Sequence, residues 1–107
     1  MTEKGLYEVL LETGLPVAHV VFKNAPQRPP YVIYRSLESH DMYADDTNFL
    51  PVSAWMVELY LDTTDTTAKN ALDDVFLKHH ITYSTYESYI ATEQLIMVAY
   101  TMETIGD

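Results

Sequence analysis

The spacing of apolar and polar positions is clearest in residues 52–62, Val-Ser-Ala-Trp-Met-Val-Glu-Leu-Tyr-Leu-Asp, a stretch without Gly or Pro. Its β-branched, aromatic and long apolar residues predict a strand. Alternation places Trp55, Val57, Leu59 and Leu61 on one face. Val52, Ala54, Met56, Glu58 and Tyr60 take the other. The first set is wholly apolar and the second mostly so. A chain of 107 residues with few helices can cover one face of a sheet, but hardly two.

The remaining stretches follow the same logic. Leu6, Val9 and Leu10 fall at helical spacing and predict a helix over 2–13, capped by Thr2, with Glu3 in its first turn and Gly14 ending it. Residues 17–23 predict a strand, 24–30 a proline-rich connector and 31–36 a second strand. In that second strand Tyr31, Ile33 and Arg35 oppose Val32, Tyr34 and Ser36. Residues 37–51 read as a long polar loop or the tip of a hairpin. A helix is predicted over 63–80, capped by Thr64 or Asp65, with Ala68, Ala71, Leu72, Val75 and Phe76 forming its apolar stripe. Asn70, Asp73, Asp74 and Lys78 then point outward, and His79 and His80 lie at the carboxyl end. Residues 81–86 predict a strand, 87–93 a turn and 95–105 a last strand. In that last strand Ile96, Val98, Tyr100 and Met102 oppose Leu95, Met97, Ala99 and Ile105.

The order helix, three strands, helix, two strands predicts one α+β domain over residues 1–107. Its sheet is five-stranded and mostly antiparallel, with both helices packed on one face. The second face then shows Met, Val, Ile and Tyr to water, which marks a partner surface. Tyr34, Met56, Tyr60 and Met97 on the sheet, with Tyr43 and Phe49 from 37–51, are the candidate interface residues.

Charge narrows the choice of partner. Six basic residues against sixteen acidic ones give a net charge of −10, the wrong sign for binding through phosphates. No apolar run is long enough to cross a membrane. The amino-terminal residues lack a signal-peptide pattern, which points to synthesis in a cytoplasm. Without cysteine there is no thiolate chemistry. His40, Asp41, Asp45 and Asp46 lie near one another but match no known zinc or calcium spacing, so no metal site is expected. No serine sits in a nucleophile elbow, and three glycines make no phosphate-cradling loop. Glu58 on the central strand is better explained as a partner of Arg35 or Lys23 than as a functional carboxylate. Neither a cofactor nor an enzyme activity is expected.

Several segments carry a resemblance. The opening helix leads to Leu15-Pro16-Val17-Ala18. Pro29-Pro30-Tyr31-Val32-Ile33-Tyr34 then precedes a polar loop, and Val57-Glu58-Leu59-Tyr60-Leu61-Asp62 precedes a helix. Tyr89-Ile90-Ala91-Thr92-Glu93-Gln94-Leu95 introduces the last strand, which ends Glu103-Thr104-Ile105-Gly106. In this the chain resembles the small tail-completion, or tail-terminator, proteins of the head–tail joining segment of tailed phages and prophages of Gram-positive bacteria. The resemblance implies a mixed sheet with two helices that assembles into a ring, commonly a hexamer. Such a ring caps the tail tube in the virion and joins it to the head connector, with DNA passing through the lumen unread. It brings no catalytic residues. The alternative from another class is a dimeric small-molecule-binding α+β domain whose tyrosines line a pocket.

Overall fold

The computed structural model describes residues 1–22, 28–37, 40–44 and 48–105, with backbone alone for 40–44, 48–51 and 105. Helix α1 (Glu3–Leu11) begins where expected, with the Gly5 N–H donating to Thr2 Oγ1 at 3.0 Å. Gly14, at φ 77°, makes the left-handed exit that Gly adopts at little cost. Strand β1 (Val17–His19) is shorter than the predicted 17–23. Val20 turns to φ 68°, and the Val21 N–H closes on the His19 carbonyl at 2.7 Å, so the ladder cannot continue.

Strand β2 (Tyr31–Ser36) has the expected bounds, pairs parallel with β1 and antiparallel with the long central strand β4 (Asn48–Leu61). The stretch 37–51 does join the antiparallel pair β2 and β4, as the tip of a hairpin would, but it is not a loop throughout. It contains β3 (His40–Ala44), which pairs antiparallel with the first five residues of β4 from Asn48 to Val52. β6 (Leu95–Ile105) runs along the other edge of β4, and its last partner is Val52 opposite Ile105. Residues 48–51 of β4 therefore pair with β3 alone and project as a two-stranded arm, which accounts for a molecule 51 Å long and 26 Å wide. Pro51, which has no N–H, falls where β6 has already ended.

Helix α2 (Thr67–Lys78) follows β4. Asp65 supplies the start, its Oδ1 accepting from the Thr67 N–H at 2.9 Å and the Thr67 hydroxyl at 2.7 Å. The helix ends in a Schellman motif. The Ile81 N–H donates to the Phe76 carbonyl and the His80 N–H to the Leu77 carbonyl, with His80 at φ 56°. Ile81 is buried as the apolar partner of that cap, so β5 (Ser84–Ile90) starts later than the predicted 81–86 and runs through the predicted turn. The turn itself is at 91–94, with Gln94 at φ 56°.

The fold is α+β, with two helices on a mostly antiparallel sheet in the expected order. Five strands run β1-β2-β4-β6-β5, and β3 joins as a sixth beside β4. Register decides which side each residue takes. Trp55 faces Met102, Val57 faces Tyr34 and Tyr100, and Leu59 faces Val32 and Val98. These residues form one core with Leu6, Val9 and Leu10 of α1 and Ala68, Leu72, Val75 and Phe76 of α2. Both helices therefore cover the same face. Neither is long and apolar enough to cross a membrane.

Candidate functional site

The opposite face carries the alternate residues of the same strands. Among the described residues it is built from Tyr31, Ile33 and Arg35 of β2, Val52 to Tyr60 by twos on β4, Met97 to Glu103 by twos on β6, and Ser84 to Ile90 by twos on β5. None of these residues belongs to the helix-covered core. Tyr31 and Tyr60, direct cross-strand partners, stack with ring centroids 4.9 Å apart and planes at 17°, and Phe22 meets Tyr31 edge-on at 5.6 Å. Met97 is opposite Tyr60 on its other side. Burial and the neighbouring Glu58 carboxylate push the Tyr60 phenol up to about 12, so it stays a neutral hydroxyl.

Charge on this face is sparse and largely compensated. Arg35 Nη1 lies 3.3 Å from Glu58 Oε1, and Arg35 Nη2 lies 3.2 Å from Met56 Sδ. Among the described residues the only other charge on the face is Glu103. A chain of net charge −10 thus presents one sheet face close to neutral, with its remaining described carboxylates on the helices, the turns and the covered side of the sheet.

Of the candidate interface residues, the structure gathers Met56, Tyr60 and Met97 on the open face. Tyr34 is elsewhere. It is 3% exposed on the helix-covered side, near Tyr7 and His19 with ring centroids at 6.1 and 5.0 Å. Pairing with Val57 fixes it there, because cross-strand partners share a face. Tyr43 and Phe49 are register partners in the projecting arm, and their side chains lie outside the described residues, as do those of His40, Asp41, Asp45 and Asp46. Tyr31, Ile33, Ile90 and Tyr86 belong to the open face without having been singled out. Alternation had already grouped Tyr31 with Ile33 and Arg35; what it lacked was the partner strand's register.

The helix-covered side holds further polar clusters. Asp73, expected to point outward, turns toward the sheet. Its Oδ1 accepts the hydroxyls of Tyr83 at 2.9 Å and Tyr100 at 3.0 Å, while Lys69 Nζ donates to Oδ2 at 2.8 Å. Burial opposes ionisation of Asp73, but the bonds from Lys69, Tyr83 and Tyr100 outweigh it and hold the carboxyl below its ordinary value. The Phe76, Tyr83 and Tyr100 rings pack against one another at 5.1 to 5.5 Å. This cluster anchors α2 to the sheet. Glu12, just past α1, receives Lys78 and His79 from α2 at 2.7 Å each and ties the two helix ends together. Its pKa is lowered by those two partners, Lys78 first. A cleft beside α2 and the end of β4, lined by Leu15, Leu61, Ala68 and Ala71 among others, encloses about 210 Å³, and wider, more open depressions of about 420 to 580 Å³ lie elsewhere on the described surface.

No protein-family model matches this chain, and no curated protein matches it in sequence. Among solved structures it is similar in fold to a chain of the "Virion of native gene transfer agent (GTA) particle". The TM-score is 0.64 at 13% identity, over 91% of this chain and 82% of that one.

Proposed function

We propose that this protein is a non-enzymatic structural component of a phage-like virion that caps the tail tube and joins it to the head connector as a homo-oligomeric ring. The single observation that carries the proposal is the open sheet face. A near-neutral, largely apolar surface on a chain of net charge −10 is suited to burial against another protein. The shared fold with a chain of a gene transfer agent virion supports a virion role. The resemblance of its segments to tail-completion proteins supports the tail-capping one.

In this assembly Met56, Tyr60 and Met97, with Tyr31 and Ile33, lie between subunits. Tyr43 and Phe49 reach a neighbour through the arm. Six subunits are expected, made in the host cytoplasm and incorporated at the tail or neck. The acidic remainder of the surface lets DNA pass without holding it. Light scattering behind a sizing column, followed by negative-stain imaging, tests the proposal. A ring-sized species at high protein concentration is expected. A monomer at all concentrations that binds neither a tail-tube nor a connector protein would overturn it.

A further inference from the structure

The sheet ends differently on its two sides. On one side β1 has three residues and is stopped by the turn at Val20. On the other side β5 is a seven-residue strand, and among the described residues no strand lies beyond it. It pairs with β6 residue for residue from Ser84 to Ile90, without a bulge, and contains no Pro, Lys or Arg. Bulges, Pro and basic side chains are devices by which proteins close an exposed edge to a further strand; the one charge on β5 is Glu87, on the covered side. Tyr86 and Tyr89 stand 68% and 62% exposed along it.

The same molecule carries a strand in need of a neighbour. The arm made of β3 and the first residues of β4 is a two-stranded ribbon beyond the reach of β6, and two-stranded ribbons are marginal in water without a third strand. The outer edge of β3 is open among the described residues, and it faces away from β6 and β5 because β3 lies on the opposite edge of β4. One chain therefore bears two open edges looking in opposite directions. That arrangement makes a head-to-tail contact, and head-to-tail contacts generate rings where the rotation closes and open filaments where it does not.

We propose that the edge of β5 receives β3 of the neighbouring copy, continuing the sheet from subunit to subunit. This rests on the ring assembly proposed above and names the contact that propagates it. Strand direction suits it. β5 runs parallel to β4, since both are antiparallel to β6, whereas β3 runs antiparallel to β4. Between copies whose strands keep the same general direction, β5 and the arriving β3 are antiparallel and form a regular ladder. Level matters too. Glu87 at the centre of β5 is level with Leu59 of β4, and Met42 at the centre of β3 with Leu50. Successive copies are thus staggered along the strands, and the shared sheet wraps obliquely, as closed sheets do.

The absence of cysteine makes the contact directly testable. Cysteine is placed at Met42 in β3 and, in four separate proteins, at Ser84, Tyr86, Ser88 or Ile90 of β5, which covers the registers available on one face. Each double variant and each single variant is oxidised mildly at ring-forming concentration and run without reductant. The expected result is a ladder of dimer, trimer and higher species from at least one double variant, and none from the single variants. A dimer from Tyr86→Cys alone would mean that β5 pairs with β5 and would overturn the proposal. So would rings in the electron microscope with no ladder from any double variant, a result that leaves the ring itself standing. Monomers throughout would overturn both the contact and the ring. Thermal midpoints of the variants compared with the parent establish that each is folded.

Discussion

Two faces of one sheet are made from alternate residues of the same strands, yet they are used oppositely. The covered face takes Trp55, Val57, Leu59, Tyr100 and Met102, all below 5% exposed, and seals them under two helices. The open face leaves Met56, Tyr60 and Met97 half-buried, although Val52, Ala54 and Ala99 on it are buried, and it places Arg35, Glu58 and Glu103 there. Apolar content alone does not separate the two. The covered face also holds polar groups, but there they are matched: the Tyr83 and Tyr100 hydroxyls meet Asp73. The open face compensates its central charge as an ion pair.

The largest expected effect breaks the comparison outright. Val57→Asp puts a charge with no partner into the sealed side, costs about 4 kcal/mol or more, and leaves no folded monomer by circular dichroism. Met56→Asp, one residue away, changes monomer stability by about 1 kcal/mol or less and abolishes self-association on a sizing column. Equal loss of folding in both variants would mean that the faces do not differ.

Next comes the Asp73 anchor. Asp73→Ala leaves two tyrosine hydroxyls and Lys69 without their acceptor and should cost about 1–2 kcal/mol, a figure reduced for partial exposure. The sign of its pH dependence follows from the depressed carboxyl. Its stabilisation is present above the ordinary value near 3.8 and is lost as pH falls through the lower folded value. Urea unfolding as a function of pH should therefore show the gap between parent and variant closing in that acid range. Glu12, also lowered, adds to the same acid sensitivity below its ordinary value near 4.5.

Two smaller changes sharpen the contrast. His80→Gly relieves a left-handed residue at the end of α2 and should stabilise the monomer by about 1 kcal/mol or less. It touches only the helix layer, so association should be unchanged. Arg35→Ala should alter monomer unfolding by about 0.5 kcal/mol or less, because the ion pair is partly exposed. It leaves Glu58, whose side chain is 12% exposed, without its cation on the open face. Its effect should therefore appear in association, as a weaker concentration dependence of the oligomer.

Much of this was legible in the residues themselves. Thr2 and Gly14 bounded α1, the stripe from Ala68 to Phe76 gave α2, and alternation in 52–62 and 95–105 sorted both faces of β4 and β6 correctly. Those signals are local, since a period or a cap depends on neighbours a few residues away. Tertiary structure decided what local pattern could not. Register against Val57 sent Tyr34 into the core, and pairing with β4 made a strand of His40–Ala44. Burial of Ile81 under the α2 cap delayed β5, and Asp73 turned inward because Tyr83 and Tyr100 stand beneath it. In each case the deciding partner is distant in sequence. Alternation says which residues share a side of their own strand; only the neighbouring strand says which side of the sheet that is.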